Sequence, residues 1–319
     1  MNKSDIYALK QIKGVGDKSI LNVISSKLQI QDIISMDEES LGQFIKGSRK
    51  VDAINEIQNN YSYYQDVAEQ KLMDFESDDI NIISYMDEKY PLLYKKIKKP
   101  PVFLYVKGNI SLLKYQNSIA IVGTRDCSNH GENIARNTAK YFAERDFNIV
   151  SGLALGIDTA AHKGAISVKG KTTAVVVDIK EIFPSENKQL SENILDCDGV
   201  LISENEPGAF VNRGLFVSRD RLQSGLSLAV FPIETDVKGG TMHTIGFAIE
   251  QNRLLYAPDI TQIPYDFEFN KIRGIKKIID EGTAQPYTSE DYEKIITDIE
   301  LKRKELFNEI NKDELTLGF

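Results

Sequence analysis

The sequence predicts an α/β protein, with a doubly wound and mostly parallel sheet preceded by a small all-α domain. Three observations lead there. Short apolar runs of strand length recur between Ser118 and Pro258, each separated from the next by a helical pattern. Those runs are apolar throughout instead of alternating, as strands are when helices cover both faces of a parallel sheet. The N-terminal stretch, residues 1 to about 65, shows only helical periodicity.

The elements follow in chain order. Apolar residues fall at helical spacing through Ile6, Leu9 and Ile12, then Ile20, Val23 and Ile24, then Ile30, Ile33 and Ile34. Between the first two groups lies KGVGDKS, where Gly14 and Gly16 permit a tight turn and Asp17 is placed to cap the next helix. Residues 1–70 are therefore expected to form a helical domain, of helix-hairpin or SAM-like type. The polar run QNNYSYYQDVAEQK reads as a helix surface or linker. INIISY and VFLYVKG are β-type runs on either side of YPLLYKKIKKPP, whose paired prolines impose extended backbone.

The strands of the core are expected at 118–123, 147–152, 172–178, 199–204, 226–233 and 253–258, with helices such as GENIARNTAKYFAERD and GIDTAAHKGAI between them. Together they make an extended Rossmann-like domain over residues 71–290. KIRGIKKIIDEG and the segment that starts at Thr288 read as helices, the second capped by Ser289, leaving a helical tail at 291–319. Nothing in that tail supplies the strands of a winged helix, and no internal repeat is present.

Composition narrows the function classes. Of the 319 residues, 41% are hydrophobic and 27% charged, which fits a globular protein. No run is apolar for long enough to make a membrane helix, and the first residues lack the apolar stretch of a secretion signal. Cys127 and Cys197 are too few for a disulfide framework, so a reducing cytoplasm is the expected compartment. The net charge of −8 argues against a surface coated with cations for duplex DNA, but it allows a local basic groove.

In an open parallel sheet, ligands bind outside the carboxyl ends of the strands. There the sequence places Gly123, Thr124 and Arg125 after the first core strand, and SGLALGID, with Ser151, Gly152 and Gly156, after the second. Glycine turns feeding helices expose backbone N–H groups to an anion such as phosphate, and an arginine adds a bidentate donor. The same glycines are also what tight strand-to-helix packing requires. Arg219 and Arg221 flank Asp220, with Arg213 upstream; they read either as phosphate ligands or as internal ion pairs. Lys238, Gly240 and their neighbours open another helix, and Lys180 lies close to Phe183, an aromatic suited either to stacking a base or to packing.

Motifs for chemistry are sparse. His130, His162 and His243 are scattered, and no metal-ligand spacing, Walker lysine motif or G-x-S-x-G elbow occurs, so neither a metal, a cofactor nor an enzymatic activity is expected. The dinucleotide fingerprint G-x-G-x-x-G is missing as well.

From about Tyr90 to Asp259 the chain resembles the DNA-processing protein A (DprA, also Smf) family. SIAIVGTR is similar to the family's AIVGSR strand and turn, and SGLALGIDTAAHKGAI to its SGLARGID-x-x-AH-x-GA signature. FPSEN, LISENEPG, FVSRDRLQSGLS and KGGTMHT resemble further family elements in the same order. The resemblance implies a Rossmann-like core that binds single-stranded DNA, forms a homodimer and helps load the RecA recombinase during recombination or transformation. It makes Gly123, Thr124, Arg125, Ser151, Gly152, Gly156, Lys180, Phe183, Arg219, Arg221, Lys238 and Gly240 the candidate ligand residues.

The chain departs from the family pattern at several positions. Thr124 stands for serine, Leu155 for arginine and Asp220 for asparagine, while Val217 and Ser218 replace a proline and an arginine. Asp178 occupies a turn that is usually glycine-rich. Most of these changes remove positive charge or add negative charge. Two other readings therefore stand beside DNA binding: a nucleotide-sensing module of a defence or stress system, and a nucleotide phosphoribohydrolase. The last is disfavoured because His243 or Thr244 stands where that reaction needs a carboxylate.

Overall fold

The computed structural model describes residues 1–262 and 269–317, and these form two compact units. The first comprises Met1–Tyr90 with Lys99–Tyr105, and the second Pro91–Lys98 with Val106–Phe319.

The first unit is helical: α1 (Lys3–Gln11), α2 (Asp17–Ser25), α3 (Ile30–Ile34), α4 (Glu38–Phe44), α5 (Lys50–Asn59) and α6 (Tyr61–Ser77), followed by β1 (Asn81–Ser84). The predicted apolar positions are its core, with Ile6, Leu9, Ile12, Ile20, Val23 and Ile33 all buried. The Gly14 turn is tight because a Cβ there, at a φ of +102°, would lie 2.9 Å from the Cβ of Arg49. Asp17 does not cap α2. Gly16 takes the cap position, and Asp17 begins the helix and pairs with Lys10 at 3.3 Å. The polar run after Asn59 is α6, a 17-residue helix that buries only Tyr61, Ala68 and Phe75, which explains its weak apolar signal.

The second unit carries α7 (Leu92–Lys95), and β2 (Phe103–Gly108) is divided between the two units. Then come β3 (Ser118–Val122), α8 (Asn129–Ala143), β4 (Asn148–Ser151), α9 (Ile157–Ser167), β5 (Thr172–Val175), α10 (Lys188–Asp196) and β6 (Val200–Ser203). They are followed by α11 (Arg213–Gly225), β7 (Ala229–Pro232), α12 (Thr241–Glu250), β8 (Leu254–Pro258), α13 (Phe269–Asp280), β9 (Gln285–Tyr287) and α14 (Tyr292–Leu317).

Here the strand order is β6-β5-β4-β3-β7-β8-β9, and each neighbouring pair in it is parallel, for example Ile119 with Ile149 on one side and Ala229 on the other. Each predicted core strand is present, trimmed by up to three residues at an end. The chain steps outward from β3 to β6, returns through α11, and steps the other way from β7. With right-handed crossovers, that reversal puts the two sets of helices on opposite faces. Packing follows: α8 lies against α9, and α11 against α12. One face is filled by Ala135, Ala139 and Phe142 of α8, Ala160 and Ala161 of α9, and Ile295 and Ile299 of α14.

Two expectations about the tail need correction. Thr288, one residue earlier than Ser289, is the cap; its side chain accepts the Glu290 N–H and stands before a short 3-10 turn that leads into α14. Residues 285–287 form β9 at the edge of the sheet, a strand that the sequence does not announce. Residues 318 and 319 of the expected tail lie outside the described residues. No described helix is long and apolar enough to cross a membrane.

Candidate functional site

The strand order reverses between β3 and β7, and the loops at their carboxyl ends line a cleft of 850 Å³. A doubly wound sheet leaves its ligand crevice at such a point, because the neighbouring crossovers diverge to opposite faces.

One wall is the turn after β3. Its Gly123 packs on α9, where a Cβ would lie 2.5 Å from Ile157. Thr124 donates its N–H to the carbonyl of Glu234 at 2.8 Å, tying this turn to the loop after β7. The fully buried Glu234 carboxylate accepts the N–H of Ser128 at 2.9 Å and its hydroxyl at 2.5 Å, and Ser128 is the cap of α8. Held by this clamp, Arg125 projects into solvent at the cleft, with its guanidinium 5.6 Å from the centroid of the Phe216 ring.

The floor comes from α11. Arg219 is buried, and its guanidinium stands between two carboxylates, 3.9 Å from Asp158 and 3.6 Å from Asp220. Its Nε and Nη1 have no hydrogen-bond partner among the described residues. Burial pushes the Asp158 carboxyl up, and pushes that of Asp220 up to about 6. The opposite wall is the start of α12, where Gly239, Gly240, Thr241, His243 and Thr244 line the space. A Cβ on Gly240 would meet nothing within 4 Å, so the backbone at this helix N-terminus is open to a ligand.

Five of the candidate residues thus share one cleft: Gly123, Thr124, Arg125, Arg219 and Gly240. The others lie elsewhere, each for a visible reason. Ser151 is buried and donates its hydroxyl to the Ile121 carbonyl at 2.7 Å, inside the sheet. The turn after β4 does not offer its amides to an external anion as expected. Gly152 and Ala154 donate their N–H groups to the Asp158 carboxylate at 3.0 and 3.4 Å. Gly156, at a φ of +74°, serves packing, since a Cβ would lie 2.5 Å from the Thr124 and Arg125 carbonyl oxygens.

Arg221 forms a two-pronged ion pair with Glu204, at 2.7 and 2.5 Å, with both side chains largely buried. Of the two readings open for it, the internal pair is the observed one. Lys180 is exposed, Phe183 is half-buried, and neither lines the cleft. Their loop is organised by Asp178, which accepts the N–H groups of Lys180, Glu181 and Gly208 at 2.8, 3.1 and 2.7 Å. A carboxylate of the chain itself therefore fills a backbone nest of the kind that holds phosphate. Lys238 is exposed and does not line the cleft, although Asp236 and Gly239 of the same loop do.

The structure adds Arg213, Phe216 and Lys271 to the lining. Phe216 was readable one helical turn before Arg219, and Arg213 one turn before Phe216 at the start of α11. Lys271 had no signal, because its approach depends on where α13 lies after the last strands. It pairs with Asp126 at 3.0 Å. Among the described residues, no group of three or more His, Cys, Asp or Glu is placed to hold a metal.

The family model described as DNA recombination-mediator protein A matches residues 81–300. The chain belongs to this family. Among its relatives, the DNA processing protein DprA of Bacillus subtilis (strain 168) is 34% identical over 66% of the chain and 70% of the relative. Protein Smf of Synechocystis is 32% identical over 86% of the chain and 68% of its own length. The crystal structure of DprA from Streptococcus pneumoniae superposes with a TM-score of 0.74 at 28% identity, covering 91% of the chain and 95% of that protein. A structure concerned with the single-stranded DNA binding mode of DNA processing protein A from Helicobacter pylori matches with a TM-score of 0.59 at 25% identity, over 69% of the chain and 96% of that protein. The family match extends from β1 into α14, so it includes every residue of the cleft.

Proposed function

We propose that this recombination mediator binds single-stranded DNA in the β3/β7 cleft and carries out no chemistry on it. The observation that carries the reading is the placement of Arg125, Arg213 and the open N-terminus of α12 around one crevice above a buried Arg219. Successive phosphates of a strand suit such an array, and the partly exposed ring of Phe216 offers a face to a base. Membership of the family supports the same ligand, as does the single-stranded DNA binding described for the Helicobacter pylori protein. The acidic groups of the cleft support a binding role over catalysis. Asp158 is engaged by two backbone amides, and Asp220 by Arg219 and Gln223.

On this reading the chain acts in the cytoplasm as a homodimer and delivers its strand to a RecA-type recombinase. A second reading is favoured by one observation: the four cations of the lining, Arg125, Arg213, Arg219 and Lys271, face four aspartates, Asp126, Asp158, Asp220 and Asp236. So balanced a cleft suits a small nucleotide better than a long polyanion.

Competition separates the two. A labelled oligo-dT bound to the protein is expected to resist displacement by mononucleotides and cyclic dinucleotides, and to yield to unlabelled oligo-dT. Micromolar binding of a labelled nucleotide, with no affinity for oligo-dT, would establish the small-ligand reading instead. Free base released from a nucleoside monophosphate would show that the site is catalytic.

A further inference from the structure

Phe210 is 87% exposed, more than any other large hydrophobic side chain among the described residues. An isolated exposed leucine needs no explanation, but an aromatic ring almost wholly in water is a larger apolar cost. Its loop is held at both ends. On one side the Gly208 N–H is bound by Asp178 at 2.7 Å, and Ala209 donates its N–H to the Glu206 carbonyl at 3.1 Å. On the other, the Asn212 side chain caps α11 by accepting the N–H groups of Gly214 and Leu215. The next three residues, Val211, Asn212 and Arg213, all line the cleft, and Arg213 is exposed. An exposed aromatic face thus stands one residue outside the mouth of the crevice, beside the exposed guanidinium of Arg213.

We infer that Phe210 is a stacking platform for a nucleobase of the strand as it leaves the cleft, with Arg213 holding the adjoining phosphate. This rests on the single-stranded DNA reading and extends it to a base-contacting position outside the crevice. Stacking on an aromatic tolerates any base, so the contact adds affinity without sequence preference.

The test compares two polymers of equal length, oligo-dT and an abasic deoxyribose-phosphate chain, against the wild type, Phe210→Ala and Phe210→Trp. Phe210→Ala should weaken oligo-dT binding roughly tenfold, leave the abasic polymer unaffected and keep the salt dependence, while Phe210→Trp restores the affinity. Equal oligo-dT affinity in Phe210→Ala overturns the inference, as does an equal loss on both polymers. Unchanged DNA binding with an altered sedimentation coefficient would assign Phe210 to a protein interface, which also overturns it. If the wild type binds neither polymer, the DNA reading itself falls, and the platform with it.

Discussion

The guanidinium of Arg219 fills the place where a side chain on Gly152 would be: a Cβ at Gly152 would lie 1.3 Å from Nη1. Gly152 is therefore fixed by the cation beneath the cleft and not by an approaching ligand. In Gly152→Ala, the buried Arg219 has to leave its position between Asp158 and Asp220. The expected loss is about 1–3 kcal/mol in urea unfolding, with weaker oligonucleotide binding. An unchanged midpoint would mean that Arg219 relocates freely.

Arg125 and Arg221 should behave as opposites although both are arginines of the family motifs. Arg125 is exposed, so Arg125→Ala should leave stability within about 0.5 kcal/mol. It should also weaken oligonucleotide binding roughly tenfold and lower the salt slope by about one. Arg221 is paired with a largely buried Glu204, so Arg221→Ala leaves that carboxylate uncompensated and should cost about 3 kcal/mol. Paired unfolding and binding measurements on the two variants check both statements.

Asp220 makes stability depend on pH. Burial, joined by the neighbouring Asp158, raises its carboxyl from the ordinary 3.8 to about 6. The folded state thus binds this proton more tightly than the unfolded chain does. The stability it contributes is full below about 4 and is lost as pH rises through about 6. Asp220→Asn keeps an acceptor for Gln223 but has nothing to ionise. Relative to the wild type it should gain on the order of 1–3 kcal/mol at pH 7.5 and nothing at pH 4. It should also tighten oligonucleotide binding at pH 7.5, by removing a negative charge beside Arg219. Urea unfolding at the two pH values is the measurement; an equal effect at both would place the cause elsewhere.

Asp178 is expected to be a structural anion. Asp178→Ala strips the acceptor from three backbone amides and should cost about 2–3 kcal/mol, with new protease sensitivity between Ile179 and Gly208. A variant as protease-resistant as the wild type would show that the nest holds without its carboxylate.

The sheet was legible because a strand covered on both faces is buried and almost wholly apolar, as β7 is and as β3 is after Ser118. β9 was not: Gln-Pro-Tyr is short and half polar, and only its pairing with β8 makes it a strand. In the cleft, Gly123 and Arg125 were readable because a glycine and a cation at a strand's carboxyl end meet a local need of the fold. What escaped the sequence was the chain's own acids. Asp158 takes the amides of its own glycine turn and Asp178 those of Lys180 and Glu181 close by, which residue types alone do not announce, while the Asp178–Gly208 and Glu204–Arg221 pairings join separate stretches of chain. Arg221 and Arg219, two residues apart on one helix, diverge for the same reason: partners brought by other strands decide which cation stays at the cleft.

The central claim is that the β3/β7 cleft tracks several phosphates of a single strand. The most direct measurement is the affinity for oligo-dT as a function of salt. Contacts to three or four phosphates predict a log–log slope of roughly −2 to −3, reduced by about one in Arg125→Ala. A slope near zero, or one that Arg125→Ala leaves unchanged, would contradict the account.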